Sequence, residues 1–210
     1  RFDSDVKKAN DLKANFSDIV DGKVDILVGT QMLGKGLDLP RLSVVGVVQA
    51  DSALNFPDYT AEERTYQMLN QVIGRVGRGH VAGSVILQTH NPGSELIRQA
   101  VRSDYASFYA QQIAQRQEFK FPPYCYLLKL TCQRKNESSA ETAANDLGKK
   151  IASLTKEIEV IGPSPSFIGK INNVYRWQLI VKSVKRPTLT KIIGILPSGW
   201  TYDIDPTHLL

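Results

Sequence analysis

Apolar residues recur along the chain with two different periods. Val6, Ala9, Leu12, Phe16 and Ile19 fall at helical spacing and Gly22 follows as a stop, so residues 5–21 are predicted to form an amphipathic helix. The short, β-branched runs DILVG (25–29) and LSVVGVVQA (42–50) predict strands buried on both faces. A helix over about 59–74 and a strand at SVILQT (84–89) come next. Strand, helix, strand in this order predicts a parallel sheet covered by helices, an α/β arrangement.

After NPGSE (91–95) the grammar changes. Ser94 and Glu95 open a polar helix to about residue 118, with Ile97, Val101, Tyr105, Phe108 and Ile113 as its apolar stripe. FPP (121–123) ends that helix and marks a boundary. Beyond it come a strand (124–133) and a helix with Ala140, Ala143, Ala144, Leu147, Ile151 and Leu154 on one side. A strand IEVIG (158–162), a loop rich in Gly, Pro and Asn, and a strand VYRWQLIVK (174–182) follow, then a short helix after Pro187 and a last strand around WTYDID (200–205). This is the split βαβ, ferredoxin-like order, which by itself names no function. The predicted organisation is 1–91, a linker helix over 92–118, and 119–210.

Composition changes the picture in three ways. With 210 residues, 42% of them hydrophobic, the chain can bury one ordinary core or two small ones. It begins at Arg1 without a basic-then-apolar leader and has no apolar run near the ~18 residues of a membrane helix, so it is expected to be neither secreted nor inserted, and to be a piece of something longer. Cys125 and Cys132, seven apart on a predicted strand, fall on opposite faces about 23 Å apart at roughly 3.3 Å per residue, which predicts buried thiols in a reducing cytoplasm, without disulfide or shared metal. His80, His90 and His208 lack ligand spacing. The net charge of +5 is unevenly spread: residues 1–91 carry 10 Lys+Arg against 11 Asp+Glu, 92–118 carry 3 against 3, and 119–210 carry 13 against 7. A basic module joined to a neutral one points to an anionic partner, nucleic acid first, with a merely solvated surface as the alternative.

GTQMLGKG (29–36) is one residue short of a P-loop: Gly36 stands where the Mg²⁺-holding hydroxyl should be, and Pro40 stops the helix that should follow. A self-sufficient NTPase is therefore not expected. QVIGRVGRG (71–79) sets two arginines three apart at the end of a helix, each behind a glycine. That arrangement suits either the planar, two-oxygen grip of a guanidinium on phosphate or a flexible basic turn.

Together the two stretches resemble motifs V and VI of superfamily 2 helicases, which lie on the second RecA-like lobe. With ADSALNFPDYTAEERTYQMLNQVIGRVGRG (50–79), FPPY (121–124), GPSPS (162–166), YRWQL (175–179) and DIDP (203–206), nearly the whole chain resembles the C-terminal half of the PriA-type bacterial replication-restart helicases. Gly34, Leu37 and Leu39 stand where that family would have Ala, His and Phe, and Ile73 and Val76 replace smaller alanines, while the charged positions are intact.

The resemblance implies a partial second helicase lobe with a parallel sheet, a linker helix and a ferredoxin-like C-terminal domain similar to a ribosomal small-subunit protein. It implies an ATP-dependent 3′ to 5′ DNA helicase of replication restart, cytoplasmic and nucleoid-associated. Arg75 and Arg78 would reach the γ-phosphate across the lobe interface, with Gln71 as a polar partner, Asp38 on the ribose and Gly36 beside the nucleotide. Thr30, Gln31 and Lys35 would lie toward the DNA. ATP and Mg²⁺ would be held mainly by a first lobe that has no counterpart here, as has the family's zinc-binding cysteine cluster, so this chain alone is not expected to hydrolyse ATP. Implied partners are single-stranded and forked DNA, the acidic tail of single-stranded DNA-binding protein, and other primosome proteins.

In the last segment the candidates for nucleic acid are Lys170, Arg176 and Trp177, beside Tyr175, because single strands are held by stacking on aromatics and by cations on phosphate. Strand alternation sends Tyr175 and Trp177 to one face and Arg176 to the other. One of those faces is the core. Lys182 to Arg186 form a second basic cluster, a phosphate site or a solvated turn. The rival reading of the whole chain is a non-enzymatic nucleic-acid- or ribosome-associated binding module.

Overall fold

The computed structural model describes residues 16–29, 39, 42–76 and 83–210. The chain divides into two compact units, Arg1–Phe56 with Ala61–Tyr109, and Pro57–Thr60 with Ala110–Leu210.

In the first unit, the described end of the predicted opening helix is helical, α1 (Phe16–Val20). Gly22, at φ 76, stops it as the sequence predicts. Two strands, β1 (Val44–Val47) and β2 (Ser84–Leu87), pair in parallel from Val44↔Ser84 to Val47↔Leu87. Between them run a 3₁₀ turn (Ser52–Asn55) and α2 (Ala61–Ile73). Parallel strands joined through a helix are what the apolar pattern predicts. α3 (Glu95–Val101) and α4 (Tyr105–Glu118) follow. Leu69, Tyr66, Leu96, Ile97, Ala100 and Phe108 form the core, with Val47 and Leu87 of the sheet against it. Tyr66 and Phe108 stack at 3.9 Å.

Three expectations are corrected here. DILVG does not form a strand; only Gly29 makes an isolated bridge, and Ile26 is 80% exposed. The strands that do form are covered on one face: Val47 and Leu87 pack inward, while Val44 and Ile86 stay 56% and 62% exposed. Among the described residues, the core that meets this sheet is built on one side of it. The single helix expected to about 118 is two helices. Ser103 adopts φ 54 and the Asp104 carboxylate accepts from the Ser107 amide at 3.0 Å, restarting the helix in a new phase. That phase change leaves Val101 and Tyr105 of the expected stripe exposed.

The second unit follows the ferredoxin-like order. β3 (Tyr126–Arg134), α5 (Glu137–Ala152), β4 (Ile158–Ile171), β5 (Val174–Ser183), α6 (Arg186–Ile193) and β6 (Trp200–Ile204) build one sheet ordered β4-β5-β3-β6, with all neighbours antiparallel. Asn136 caps α5 by accepting from the Ser138 and Ser139 amides. Leu128, Leu130, Leu147, Ile151, Leu179 and Val181 fill the main core between sheet and helices.

The stretch 163–173, expected as a crossing loop, is instead the outer half of a long hairpin arm. Register shifts at Ile161/Ser164 and Pro165/Lys170 absorb the prolines on an edge strand, where a missing donor costs nothing in the ladder. Asn172 and Asn173, at φ 50 and 61, make the two-residue turn. Gly162 is required where it stands: at φ +96, a Cβ would lie 3.1 Å from the Gln178 carbonyl oxygen.

Residues 57–60 belong to this second unit although they precede α2 in sequence. Asp58 accepts from the Thr60 amide at 2.9 Å and hydroxyl at 2.8 Å, and from the Leu209 amide at 2.9 Å. The Tyr59 hydroxyl donates to the Pro206 carbonyl at 3.0 Å, and its ring stacks on Phe121 at 4.8 Å with the Arg116 guanidinium over it.

Candidate functional site

α2 is amphipathic, with Thr65, Tyr66 and Leu69 turned inward, and it runs out at Ile73. Gly74 then donates to the Asn70 carbonyl at 2.9 Å, and Arg75 to that of Val72 at 3.1 Å, so the chain makes one more tight turn. Gln71 and Arg75 are four residues apart and therefore share a side of this helix end. Gln71 is exposed and Arg75 half-buried. Their donors suit the oxygens of a polyphosphate. Thr30, Gln31, Lys35, Gly36, Asp38 and Arg78 lie outside the described residues.

A divalent metal needs a different set of groups. Among the described residues no three His, Cys, Asp or Glu side chains come together. Among the described residues of this neighbourhood, none offers the set of oxygens that Mg²⁺ takes. Zinc does not fit either, since Cys125 and Cys132 are free thiols packed in two separate apolar clusters on opposite faces of the sheet. Burial raises the pKa of both thiols, which keeps them in the unreactive form.

In the second unit the structure separates the neighbours on β5. Trp177 and Tyr175 pack with Trp200 against Cys132, Ala140 and Ala144, on the face that α5 covers. Arg176 faces the other way, beside Gln133 of β3. It is half-buried, and among the described residues its Nε finds no hydrogen-bond partner. Its Nε, the Gln178 side-chain oxygen and the Ser166 hydroxyl are shielded from solvent and lack a hydrogen-bond partner. Each such group costs about 1–3 kcal/mol in a folded protein. Lys170 is exposed on the hairpin arm, with its ammonium 3.1 Å from the Tyr175 hydroxyl and over that ring.

The basic cluster at 182–186 is largely occupied. Lys182 is buried, donating to the Phe119 carbonyl at 2.8 Å over the Phe121 ring. Lys185 pairs with Glu157 at 2.6 Å, and Arg186 with Asp205 at 3.5 Å. Next to them lies a feature the sequence reading missed: an open groove of about 430 Å³ lined by Arg186, Pro187, Thr190 and Lys191. Its signal was the i, i+4 spacing of Arg186 and Thr190 on a helix opened by proline, but only the fold shows that the space beside them is free.

The comparisons with known proteins fall on the same two halves. The family described as Helicase conserved C-terminal domain matches residues 2–80, and the one described as Primosomal protein N C-terminal domain matches residues 117–207. The chain is 42% identical over 98% of its length to the replication restart protein PriA of Synechocystis, 36% over 90% to that of Bacillus subtilis, and 34% over 95% to that of Thermotoga maritima. It spans about a quarter of the length of these curated relatives, 25%, 24% and 27% respectively. With both domain families matched in order along nearly all of it, the chain belongs to the PriA replication-restart family, as a C-terminal portion.

Proposed function

We propose that this chain is the rear of a DNA motor: part of the second lobe of an ATP-dependent 3′ to 5′ helicase that restarts replication at branched forks, followed by the domain that meets DNA and partners. The observation that carries this reading is the pairing of Gln71 and Arg75 at the end of α2 in a helicase-type unit with a basic ferredoxin-like unit behind it. Arg75 and Arg78 contribute cationic donors to the γ-phosphate, Gln71 a polar contact, and Asp38 and Gly36 the ribose and backbone side of the nucleotide. Bound ATP with Mg²⁺ supplies the energy of phosphoryl transfer, and the rest of the intact protein holds most of it, since the described donors here suit phosphate and not metal. Thr30, Gln31 and Lys35 lie toward the tracked strand.

Partners divide by chemistry. DNA meets Arg176 and Lys170, while Trp177 supports the strand from inside the core. The groove at Arg186, Pro187, Thr190 and Lys191 sets Lys191, and Arg186 with its Asp205 partner, beside apolar surface, which suits a short acidic and apolar peptide such as the tail of single-stranded DNA-binding protein. The work is cytoplasmic and at the nucleoid; no described helix is long and apolar enough to cross a membrane.

The test uses the intact protein. Arg75→Ala and Arg78→Ala are each expected to reduce DNA-stimulated ATP hydrolysis by about 10³-fold, the lower end for an arginine finger, with folding retained. Normal hydrolysis and unwinding by either variant would sink the assignment of that arginine. Unwinding of duplexes carrying a 5′ tail in preference to a 3′ tail would overturn the direction.

A further inference from the structure

The sheet of the second unit has one face beneath α5 and α6 and another that is only half covered. Tyr59, Phe121 and Leu209 seal one end of that second face by packing on Cys125, Leu127 and Ile180. Along β5 beyond Ile180 the face turns polar. Gln178 stands across from Thr131, and Arg176 across from Gln133. Thr201 extends the Gln178 row on one side and Ser164 on the other. No carboxylate stands in these two rows.

Arg176 is the cation that distinguishes this face. Lys182, Lys185 and Arg186, farther along the same strand and into α6, are each satisfied by a carbonyl or a carboxylate. Arg176 is half-buried on an inner strand, and among the described residues its shielded Nε has no such partner. A guanidinium partly withdrawn from water and left without an acceptor is completed by an anion. Gln178, two positions along β5, and Ser166 of β4 also hold polar atoms without a partner among the described residues.

The shape and chemistry of the face narrow the anion. Four strands give a platform about 14 Å across at roughly 4.8 Å spacing. In the Gln178 and Arg176 rows its side chains are hydroxyls and carboxamides, able to donate and accept, around one cation; the adjoining row holds Lys129, which donates to the Leu210 carbonyl, and Asp203. The aromatic rings of β5 are on the opposite face, in the core. A base cannot stack here, whereas an extended sugar-phosphate chain finds donors along its whole path. An acidic peptide would need several cations close together, which this face does not gather.

We propose that the open polar face of this sheet, centred on Arg176 and flanked by Gln178, Thr131, Gln133 and Thr201, is a track for single-stranded DNA gripped through its phosphates and sugars, without base stacking. The inference rests on the reading that DNA is a partner of this unit, and adds the surface and the mode of binding. Its readout is affinity, independent of the ATP hydrolysis that tests the motor assignment.

The experiment is fluorescence anisotropy of the full 210-residue chain with labelled oligo-dT of about 15 nucleotides, and with an abasic strand of the same length, over a salt series. The abasic strand is expected to bind within about twofold of oligo-dT, since no ring stacks on the bases. Arg176→Ala should weaken both about tenfold and lower the salt slope by roughly 0.7, one phosphate contact. Arg176→Lys should recover part of the loss, and the thermal midpoint of Arg176→Ala should be no lower than that of the parent, because its shielded Nε has no acceptor to lose. Unchanged affinity in Arg176→Ala, loss of most binding to the abasic strand, or no binding of oligo-dT at low salt would each overturn the proposal. So would an acidic nonapeptide that binds the chain and loses that binding in Arg176→Ala while oligo-dT does not. Any of these results, beside an ATPase that still depends on Arg75, would leave the motor assignment standing.

Discussion

Arg176 and Trp177 are adjacent and do opposite work. The alternation of β5 puts them on different faces, and that much is legible in the sequence. Which face is the core is not, because it depends on the small residues Ala140 and Ala144 of α5, far back in the chain, making room for an indole. Trp177→Ala is expected to destabilise the second unit by about 2–4 kcal/mol, somewhat below the range for fully buried aromatics because the ring is only partly buried. Urea unfolding measures this. Trp177→Phe should cost less and keep the affinity for single-stranded DNA; a variant that unfolds normally but no longer binds would show that the indole touches the ligand. The place of Arg75 at the end of α2 follows from the helix pattern alone. The partner-free Nε of Arg176 was not legible, since no local pattern reveals that an arginine lacks an acceptor.

The elements show where local rules stop. The helix expected from about residue 59 begins at Ala61, and Asp58 caps a local turn before it through Thr60. What the sequence could not show is that its other oxygen holds Leu209, 151 residues away. Asp58→Ala removes the acceptor for three donors and is expected to lower the stability of the second unit by about 1–3 kcal/mol, read as a shift in its urea midpoint. Tyr59→Phe, which loses one hydroxyl bond and keeps the stack on Phe121, should cost about 1 kcal/mol. An Asp58→Ala midpoint equal to that of the parent would mean that the stack and the apolar cluster hold this seam unaided. The hairpin arm was misread for a related reason. Pro163 and Pro165 signal a loop anywhere except on the edge of a sheet, and edge position is a property of the assembled fold. The break at Ser103, by contrast, left a signal in the sequence, an Asp three residues before a Ser.

At the scale of the whole molecule the sequence was most informative about kinship and charge, because motifs and composition need no tertiary contacts to be read. It was least informative about coverage: strands composed for burial on both faces are covered on one among the described residues, with Val44 and Ile86 left in solvent. The first unit also carries a response to acid. Asp51 accepts from the Thr89 hydroxyl at 2.9 Å and from the His90 and Asn91 amides, and the Thr89 bond, ahead of those amides, holds its carboxyl below the ordinary range. Asp104, bonded to Ser107, is shifted the same way. A lowered carboxylate stabilises the fold fully above its ordinary pKa, and that contribution disappears as the pH falls through the lowered one. Acid is therefore expected to loosen the first unit, and Asp51→Asn should flatten part of that pH dependence in a urea series. A variant with the parent's full acid dependence would exclude Asp51 as its source.

The seam between residues 57–60 and 206–209 also fixes an order of events during synthesis. Tyr59 and its acceptor on Pro206 are 147 residues apart, a separation that a ribosome working at about 5–20 residues per second takes roughly 7–30 s to cover. Until that interval has passed, the acceptor of Tyr59 on Pro206 and the Leu209 amide that Asp58 holds have not been made. The α2 end that bears Arg75 can form early, whereas the seam waits for residues 206–209, so residues 57–60 are the first of the second unit to be made and among the last to be fixed.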